Sequence, residues 1–310
     1  MNKKSINVLK QNRISFSHII KNSIGDRLFN LLIRYPHWFS DDELYIKLFY
    51  LFGMKRLLSL KKPITYTEKI QWLKLHNTDP LYSILVDKYA VKDYIKNSIG
   101  EQYVIPLLGV WYDYNEIDFD TLPNQFVLKT NHDSGTVIVC PDKSKLDHDI
   151  ARIKLNKALS GNYFYKSREY PYKNIKPRIV AEEYIHDSEQ VELTDYKIFC
   201  FNGEPKYLQI TSNKGVQKYV NYYDIQFKPL QLSTGFPANE NGIEKPMNFD
   251  KMIELACLLS KNILHVRIDM YNINGKIYFG EYTFHHSGGI VKFDPPYWDK
   301  VWGNMIKEYK

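Results

Sequence analysis

The spacing of apolar and polar residues predicts helices in the first 100 residues of the chain. Apolar residues recur at helical spacing in the runs 41–53, 65–75 and 87–100, and each run opens on residues that favour a helix start. Thr65 and Glu68 have the spacing of a capping box. The first third of the chain is therefore expected to be helical.

From Phe126 onward, short alternating runs predict strands. A hairpin is predicted around Asn202-Gly203, because this dipeptide favours a two-residue turn. Asn248 is expected to cap a helix over 249–263. The other predicted elements are a short strand in 103–111, strands at 126–130, 136–140, 178–185, 264–272 and 276–284, and a helix at 147–159. This order favours the α+β class with mostly antiparallel sheets.

Composition narrows the functional classes. The chain has 310 residues with a net charge of +7, which favours an anionic substrate or a membrane surface; a nucleic-acid-binding protein needs a denser basic stripe. A lysine-rich surface without a partner explains the charge equally well. The three cysteines are far apart and predict reduced core thiols.

Location follows from the absence of targeting signals. The start has no apolar core of a signal peptide, and no run reaches the roughly 18 uncharged residues of a membrane span, so a cytoplasmic protein is expected. The segment 16–39 is basic and amphipathic. It suits either a helix packed on the core or a peripheral contact with the inner face of a membrane.

The last two strands carry charged residues whose relation depends on the loop between them. A two-residue loop would turn Asp269 and Glu281 to opposite faces of the sheet. A three-residue loop at 273–275, with Gly275 in the left-handed conformation, would turn them to the same face. We adopt the second register because it separates polar from apolar residues.

In that register Arg267 lies opposite Glu281, Asp269 is diagonal to it, and Thr283 joins their face. The other face is then apolar, with Val266, Ile268, Met270, Tyr278 and Tyr282. Two carboxylates this close need a cation between them, and oxygen ligands on neighbouring strands suit Mg²⁺. A surface salt-bridge cluster around Arg267 is the alternative.

Two further elements carry candidate chemistry. Lys129 ends a strand and precedes the polar loop NHDSG, which suits either phosphate binding or an ordinary hairpin. Asp195 and Lys197 alternate with apolar residues and therefore share one face of a strand. That face is either part of a site or simply solvated.

The order of these motifs resembles the ATP-grasp superfamily, which includes D-alanine–D-alanine ligase and glutathione synthetase. The segments LPNQFVLKTNHDSGTVIV, IKPRIVAEEYI, DYKIFCFNGEP and VRIDMYNINGKIYFGEYTF resemble its TupA-like branch, which is tied to teichuronopeptide and capsular polysaccharide synthesis. The resemblance covers roughly residues 60 to 290. It implies two α+β subdomains with antiparallel sheets that clamp ATP, preceded by a helical N-terminal extension.

The resemblance also implies domain limits and residue roles. The expected divisions are a helical extension at 1–60, linker helices at 61–125, the small subdomain at 126–190 and the large subdomain with the metal site at 191–310. ATP would be bound by Lys88, Lys129, Ser134, Gly135, Glu182, Glu183, Tyr184, Ile185, Asp195 and Lys197, with residues 182–185 as the adenine hinge. Mg²⁺ would be bound by Asp269, Glu281 and Thr283. Arg267 would be catalytic and stabilise the acylphosphate or tetrahedral intermediate.

The activity that the resemblance implies is an ATP-dependent ligase, which joins a carboxylate to an amine through an acylphosphate. The expected substrates are an amino acid and a uronic acid of a surface polysaccharide or its precursor. Thr283 stands where most of the superfamily has asparagine, and the phosphate loop has only Gly135. A kinase and a non-catalytic assembly scaffold with the same fold remain alternatives, as does a glycosyltransferase, whose Asp-x-Asp mark occurs at Asp118–Asp120 in a predicted loop.

Overall fold

The computed structural model describes residues 24–187, 193–214 and 217–307, so the first part of the basic segment 16–39 lies outside the described residues. The helices in these ranges are α1 (Ile24–Arg34), α2 (Asp42–Met54), α3 (Tyr66–His76), α4 (Leu81–Val86), α5 (Val91–Ser98), α6 (His148–Leu159), α7 (Phe164–Ser167), α8 (Phe249–Leu259) and α9 (Tyr297–Met305). The strands are β1 (Leu107–Trp111), β2 (Phe126–Thr130), β3 (Val137–Cys140), β4 (Ile179–Glu183), β5 (Asp195–Phe201), β6 (Glu204–Lys214), β7 (Gln217–Asp224), β8 (His265–Ile273) and β9 (Lys276–Thr283).

Local capping explains where the early helices start. The Asp41 carboxylate accepts hydrogen bonds from the Glu43 and Leu44 amides at 2.9 and 3.1 Å, so α2 begins at Asp42. The predicted capping box is confirmed at α3, where Thr65 and Glu68 each accept a hydrogen bond from the other's backbone amide. These contacts depend only on neighbours in sequence, which is why they could be predicted.

The smaller sheet has the strand order β1-β4-β2-β3, and all of its pairs are antiparallel. One face packs on α6 through a buried cluster that includes Phe126, Leu128 and Leu155. The opposite face carries Lys129 and Glu182. This sheet begins at β1, earlier in the chain than the expected subdomain start at residue 126.

The larger sheet has the order β7-β6-β5-β8-β9 and is also antiparallel. The predicted β5–β6 hairpin is confirmed, and its turn residues Asn202 and Gly203 have φ values of 53° and 81°. One face is buried against α4, α5 and α8. The other face is covered at one end by α3 and by Trp302 of α9, and its uncovered end carries the candidate site.

Two predictions about single residues need correction. Asn248 stands at the N-cap of α8 as expected, but its backbone is left-handed (φ 58°) and its side chain makes no capping hydrogen bond; the side-chain amide instead donates to the Gly275 carbonyl at 2.8 Å. Cys257 is exposed, whereas Cys140 and Cys200 are buried as expected. Among the described residues, no helix is long and apolar enough to cross a membrane.

Candidate active site

A cleft separates the two sheets, and most of the predicted site residues line it. Its polar lining consists of Lys88, Lys92, Lys129, Glu182, Asp195, Lys197, Arg267, Asp269 and Glu281. Its apolar lining includes Val91, Ile95, Ile105, Tyr271 and Phe279, and Gly135 and Gly280 approach it with backbone. Ser134, Glu183, Tyr184, Ile185 and Thr283 do not line the cleft directly.

The β8–β9 hairpin brings the acidic residues together by a route that the sequence did not predict. Its turn has two residues, Asn274 and Gly275, with φ values of 51° and 85°, so the expected three-residue loop is wrong. Met270 pairs with Phe279, and a bulge at Gly280 then shifts the register. Without the bulge, this two-residue turn would have turned Glu281 to the opposite face.

After the bulge, Asp269 lies directly opposite Glu281, and Arg267 lies opposite Thr283. The four side chains share one face, as predicted, but their expected pairing was wrong. Tyr278 is also misassigned, because it pairs with Tyr271 while Ile277 and Phe279 join the apolar cluster. Glycine suits the bulge, since a Cβ at Gly280 would lie 3.0 Å from the Asp269 carbonyl oxygen, which is a tight contact.

Arg267 is the centre of the hydrogen-bond network on this face. Its Nε and Nη2 atoms bind the two Asp269 carboxylate oxygens at 2.6 Å each. Nη2 also donates to Glu281 at 3.1 Å and to Thr283 at 3.0 Å. Burial by itself would lower the pKa of Arg267, but Asp269 and Glu281 outweigh this and raise it. The guanidinium is therefore a fixed positive charge that holds both carboxylates in place.

His286 contacts the third side of the same guanidinium, and the sequence did not identify this role. Arg267 Nη1 donates to His286 Nδ1 at 2.7 Å, so His286 is neutral with its proton on Nε2. Burial, followed by repulsion from Arg267, lowers the pKa of His286 well below its ordinary value. His285 and His286 follow shortly after β9, and both are buried.

Lys129 and Glu182 of the smaller sheet form a buried charged triad with Lys92 of α5. Glu182 binds Lys129 at 2.5 Å and Lys92 at 2.7 Å. Burial would raise the pKa of Glu182, but attraction to Lys129 and Lys92 lowers it to about 2. Lys92 was not predicted, although it follows Lys88 by one helical turn, which would place both on one side of a helix.

The loop after Lys129 is anchored to the helical region. Lys88 donates from its Nζ to the Asp133 carbonyl and from its backbone amide to the Asn131 carbonyl at 3.1 Å. The Asp133 carboxylate accepts from both Thr130 and Thr136. Gly135, with φ 96°, lies at the cleft, and the space where a Cβ would point is open. Backbone amides in such a loop can face an anion.

The expected adenine hinge follows β4. Only Glu182 of its four residues lines the cleft. The Glu183 amide donates to the Pro106 carbonyl at 3.0 Å, and the Tyr184 ring stacks on His186 at 5.4 Å.

Lys197 connects the metal face to the nucleotide side. It pairs with Asp269 across β5 and β8, and its Nζ lies 2.8 Å from Asp195 and 3.5 Å from Asp269. Asp195 and Lys197 share one face, as predicted. Lys197 is mostly buried, so this part of the face is not an ordinary solvated surface.

The donor set can be tested for Mg²⁺. Asp269 and Glu281 supply carboxylate oxygens on directly paired residues, which suits an ion that takes its other oxygens from water and phosphates. No larger group of histidine, cysteine and carboxylate ligands is gathered anywhere in the described ranges. The Thr283 hydroxyl donates to Glu281 at 3.0 Å and accepts from Arg267, so it orients these two side chains. The residues fit Mg²⁺ with two protein carboxylates.

Two antiparallel sheets face one cleft, with Lys129 on the smaller sheet and Lys197 beside an arginine-held carboxylate pair on the larger one, and this is the arrangement of an ATP-grasp protein. The chain belongs to the TupA-like ATP-grasp family, whose model matches residues 68–307. Both the predicted family and the predicted fold class are thereby confirmed. No curated protein matches the chain.

Solved structures to which the chain is similar include D-alanine–D-alanine ligases. The ATP complex of the Bacillus anthracis enzyme is 17% identical, with a TM-score of 0.39, and the match covers 65% of this chain and 55% of that one. The Helicobacter pylori enzyme is 13% identical, with a TM-score of 0.42 and coverage of 78% and 69%. N5-carboxyaminoimidazole ribonucleotide synthetase from Thermus thermophilus is 11% identical, with a TM-score of 0.36 and coverage of 65% and 45%. The chain thus spans a little over half of the Bacillus anthracis ligase, and the assignment rests on the family model.

Proposed function

We propose that this protein is an ATP-dependent ligase that joins a carboxylate to an amine. The observation that carries the proposal is the convergence of Lys129, Lys197 and Arg267 on a cleft that also contains Asp269 and Glu281. The two lysines suit the phosphates of ATP, the two adjacent carboxylates suit the Mg²⁺ that accompanies it, and the arginine suits the negative charge of the transferred acyl group.

The reaction has two steps. A carboxylate oxygen of the first substrate attacks the γ-phosphorus, the bond to ADP breaks, and an acylphosphate forms. The amine nitrogen of the second substrate then attacks the acyl carbon, phosphate leaves, and the nitrogen loses a proton. Mg²⁺ would neutralise phosphate charge when bound to Asp269 and Glu281.

Each side chain has a positioning or electrostatic task in these steps. Lys129 and Lys197 bind phosphate oxygens from opposite sides of the cleft. Residues 182–185 hold the adenine through the backbone, and Lys88 holds the loop that contains Ser134 and Gly135. Arg267 stabilises the negative charge that develops on the attacked carbonyl oxygen, because it is a buried cation whose orientation is fixed before the reaction.

For the substrates we propose an amino acid and a uronic acid of a surface polysaccharide or its precursor, joined in the cytoplasm. Membership of the TupA-like family and the net charge of +7 support an anionic acceptor. The glycosyltransferase alternative has no support from Asp118. Its carboxylate accepts a hydrogen bond from the Asp120 amide at 3.1 Å and caps a short 3₁₀ helix outside the cleft.

The test uses the purified full chain with ATP, Mg²⁺ and panels of uronic acids and amino acids. We expect ADP release that requires both substrates, and an amide product in the mass spectrum. ADP release in the absence of any carboxylate substrate would contradict the ligase proposal. A phosphate ester as the only product would identify a kinase, and binding of UDP-sugars in place of ATP in titration calorimetry would identify a glycosyltransferase.

Two variants distinguish an enzyme from a scaffold. Asp269→Ala and Glu281→Gln should abolish turnover while the far-ultraviolet circular dichroism stays unchanged. Asp118→Asn is the matched control, since it removes a carboxylate outside the cleft and should retain activity. Full activity in both cleft variants would mean that this face of the sheet is not catalytic.

A further inference from the structure

Helix α1 has two apolar stripes, and only one of them packs on the protein. Phe29 and Leu32 are buried in a cluster with Tyr45 and Phe49 of α2. Ile24, Leu28 and Leu31 lie on a separate stripe at helical spacing and are 78%, 43% and 48% exposed. A helix that only packed on the core would present polar residues at these positions.

The exposed stripe continues into an aromatic pair just after the helix. The rings of Tyr35 and Trp38 stack at 4.5 Å, and Trp38 is 74% exposed. The Arg34 guanidinium lies 5.4 Å from the Tyr35 ring centre. Tryptophan and tyrosine, with an arginine beside them, are the residues enriched at the level of lipid headgroups.

Charge identifies the kind of surface that this stripe suits. Residues 1–40 contain seven basic side chains and one acidic one, a net charge of +6 out of +7 for the whole chain. The acidic residue, Asp26, is largely buried and bound to Lys55 at 2.5 Å. Arg27 and Arg34 are exposed and lie beside the apolar stripe on the helical wheel. The solvent-facing side of α1 is therefore apolar and basic.

We infer that α1 and the Tyr35–Trp38 pair bind the protein to an anionic phospholipid membrane. Ile24, Leu28, Leu31 and Trp38 enter the boundary between headgroups and acyl chains, while the arginines remain at the phosphates. The basic residues before α1 add electrostatic attraction to the same surface. This inference does not depend on the proposed ligase reaction, because the surface lies outside the cleft.

The first test is sedimentation of the full chain with vesicles of phosphatidylcholine alone or mixed with phosphatidylglycerol. We expect binding to the anionic vesicles only, weakened by added salt because exposed charges are screened. Equal binding to both vesicle types, or to neither, would overturn the inference.

The second test replaces only exposed side chains, so that the substitutions do not disturb folding. A Leu28→Ser/Leu31→Ser/Trp38→Ser variant should lose on the order of tenfold or more in vesicle partitioning, because it removes most of the inserted apolar area. The matched control is Ile153→Ser, which removes an exposed apolar side chain of α6 (63% exposed) and should bind like the unchanged protein. Unchanged thermal unfolding would show that both variants are folded.

Other occupants of the stripe give different results. If a second copy of the chain covers it, the protein will dimerise in light scattering, the triple variant will be monomeric, and vesicle binding will be absent. If residues 1–23 cover it, the triple variant will bind vesicles as well as the unchanged protein does. Either result overturns the inference.

Discussion

Replacing Glu182 with glutamine tests how strongly the stability of the protein depends on the buried triad that joins the smaller sheet to α5. The change keeps the shape of the side chain but removes the charge between Lys129 and Lys92. Both lysines then remain largely buried without their shared counter-ion. An uncompensated buried charge is what makes the loss of one partner of a buried ion pair strongly destabilising. We therefore expect a marked loss of stability near neutral pH.

The magnitude follows from the pKa of Glu182. Burial would raise this pKa, yet the lysines lower it from 4.5 to about 2. A difference of about 2.5, at about 1.36 kcal/mol for each pKa unit, corresponds to about 3 kcal/mol of folding stability. Because the folded pKa is depressed, this contribution is present above pH 4.5 and is lost as the pH falls towards 2.

The assay is urea unfolding of both proteins between pH 7 and pH 3. Glu182→Gln should lower the free energy of unfolding by about 3 kcal/mol at pH 7, and the gap should narrow as the wild-type carboxylate is protonated. The control is Glu183→Gln at the exposed neighbouring position, where a change within about 0.5 kcal/mol is expected. A Glu182→Gln effect of the same small size, or a gap that does not narrow in acid, would refute this reasoning.

Three further predictions concern the metal face and the core beside it. The His286→Phe variant removes the hydrogen-bond acceptor for Arg267, so steady-state assays should show turnover lowered about tenfold to a hundredfold with little change in the KM for ATP. The His286→Asn variant restores an acceptor and should recover most of the lost turnover. The Gly280→Ala variant places a Cβ against the Asp269 carbonyl, so thermal or urea unfolding should show about 1–3 kcal/mol of destabilisation. Because the strained bulge displaces Asp269 and Glu281, a higher Mg²⁺ concentration should be needed for half-maximal turnover. Burial lowers the pKa of Lys74 to about 7, against an attraction to Glu169 that raises it. The unfolded chain then binds more protons than the folded one above pH 7, so stability should rise from pH 7 to 9, and this rise should be smaller in Lys74→Met; an equal slope in both proteins would contradict the assignment.

Several features of the fold were determined by sequence alone, because they depend on residues a few positions apart. The capping box of Thr65 and Glu68 needs only one turn of helix. Asn202 and Gly203 tolerate positive φ, so they predicted the β5–β6 hairpin. The alternation of polar and apolar residues placed Asp195 and Lys197 on one face, and likewise Arg267 and Asp269. The order of these motifs was enough to identify the family.

The pairing across the β8–β9 hairpin was decided only by tertiary structure. The turn at Asn274-Gly275 was predicted one residue too long, because only a longer loop or a bulge could bring Asp269 and Glu281 to one face, and a bulge depends on how both strands pack against the rest of the sheet. Gly280 within a strand was the one local sign of it. The bulge at Gly280 explains why Asp269 and Glu281 lie opposite each other although the turn has only two residues.

Burial and long-range partners were likewise decided by the fold. His286 comes just after a strand, and no local pattern indicated that its ring would be buried against Arg267. Lys92 and Glu182 are 90 positions apart, and no local pattern relates them. Sequence determined which elements form and which faces are polar, because those depend on neighbours. The packing of the two sheets and the helices decided which polar groups meet, because those contacts join distant parts of the chain.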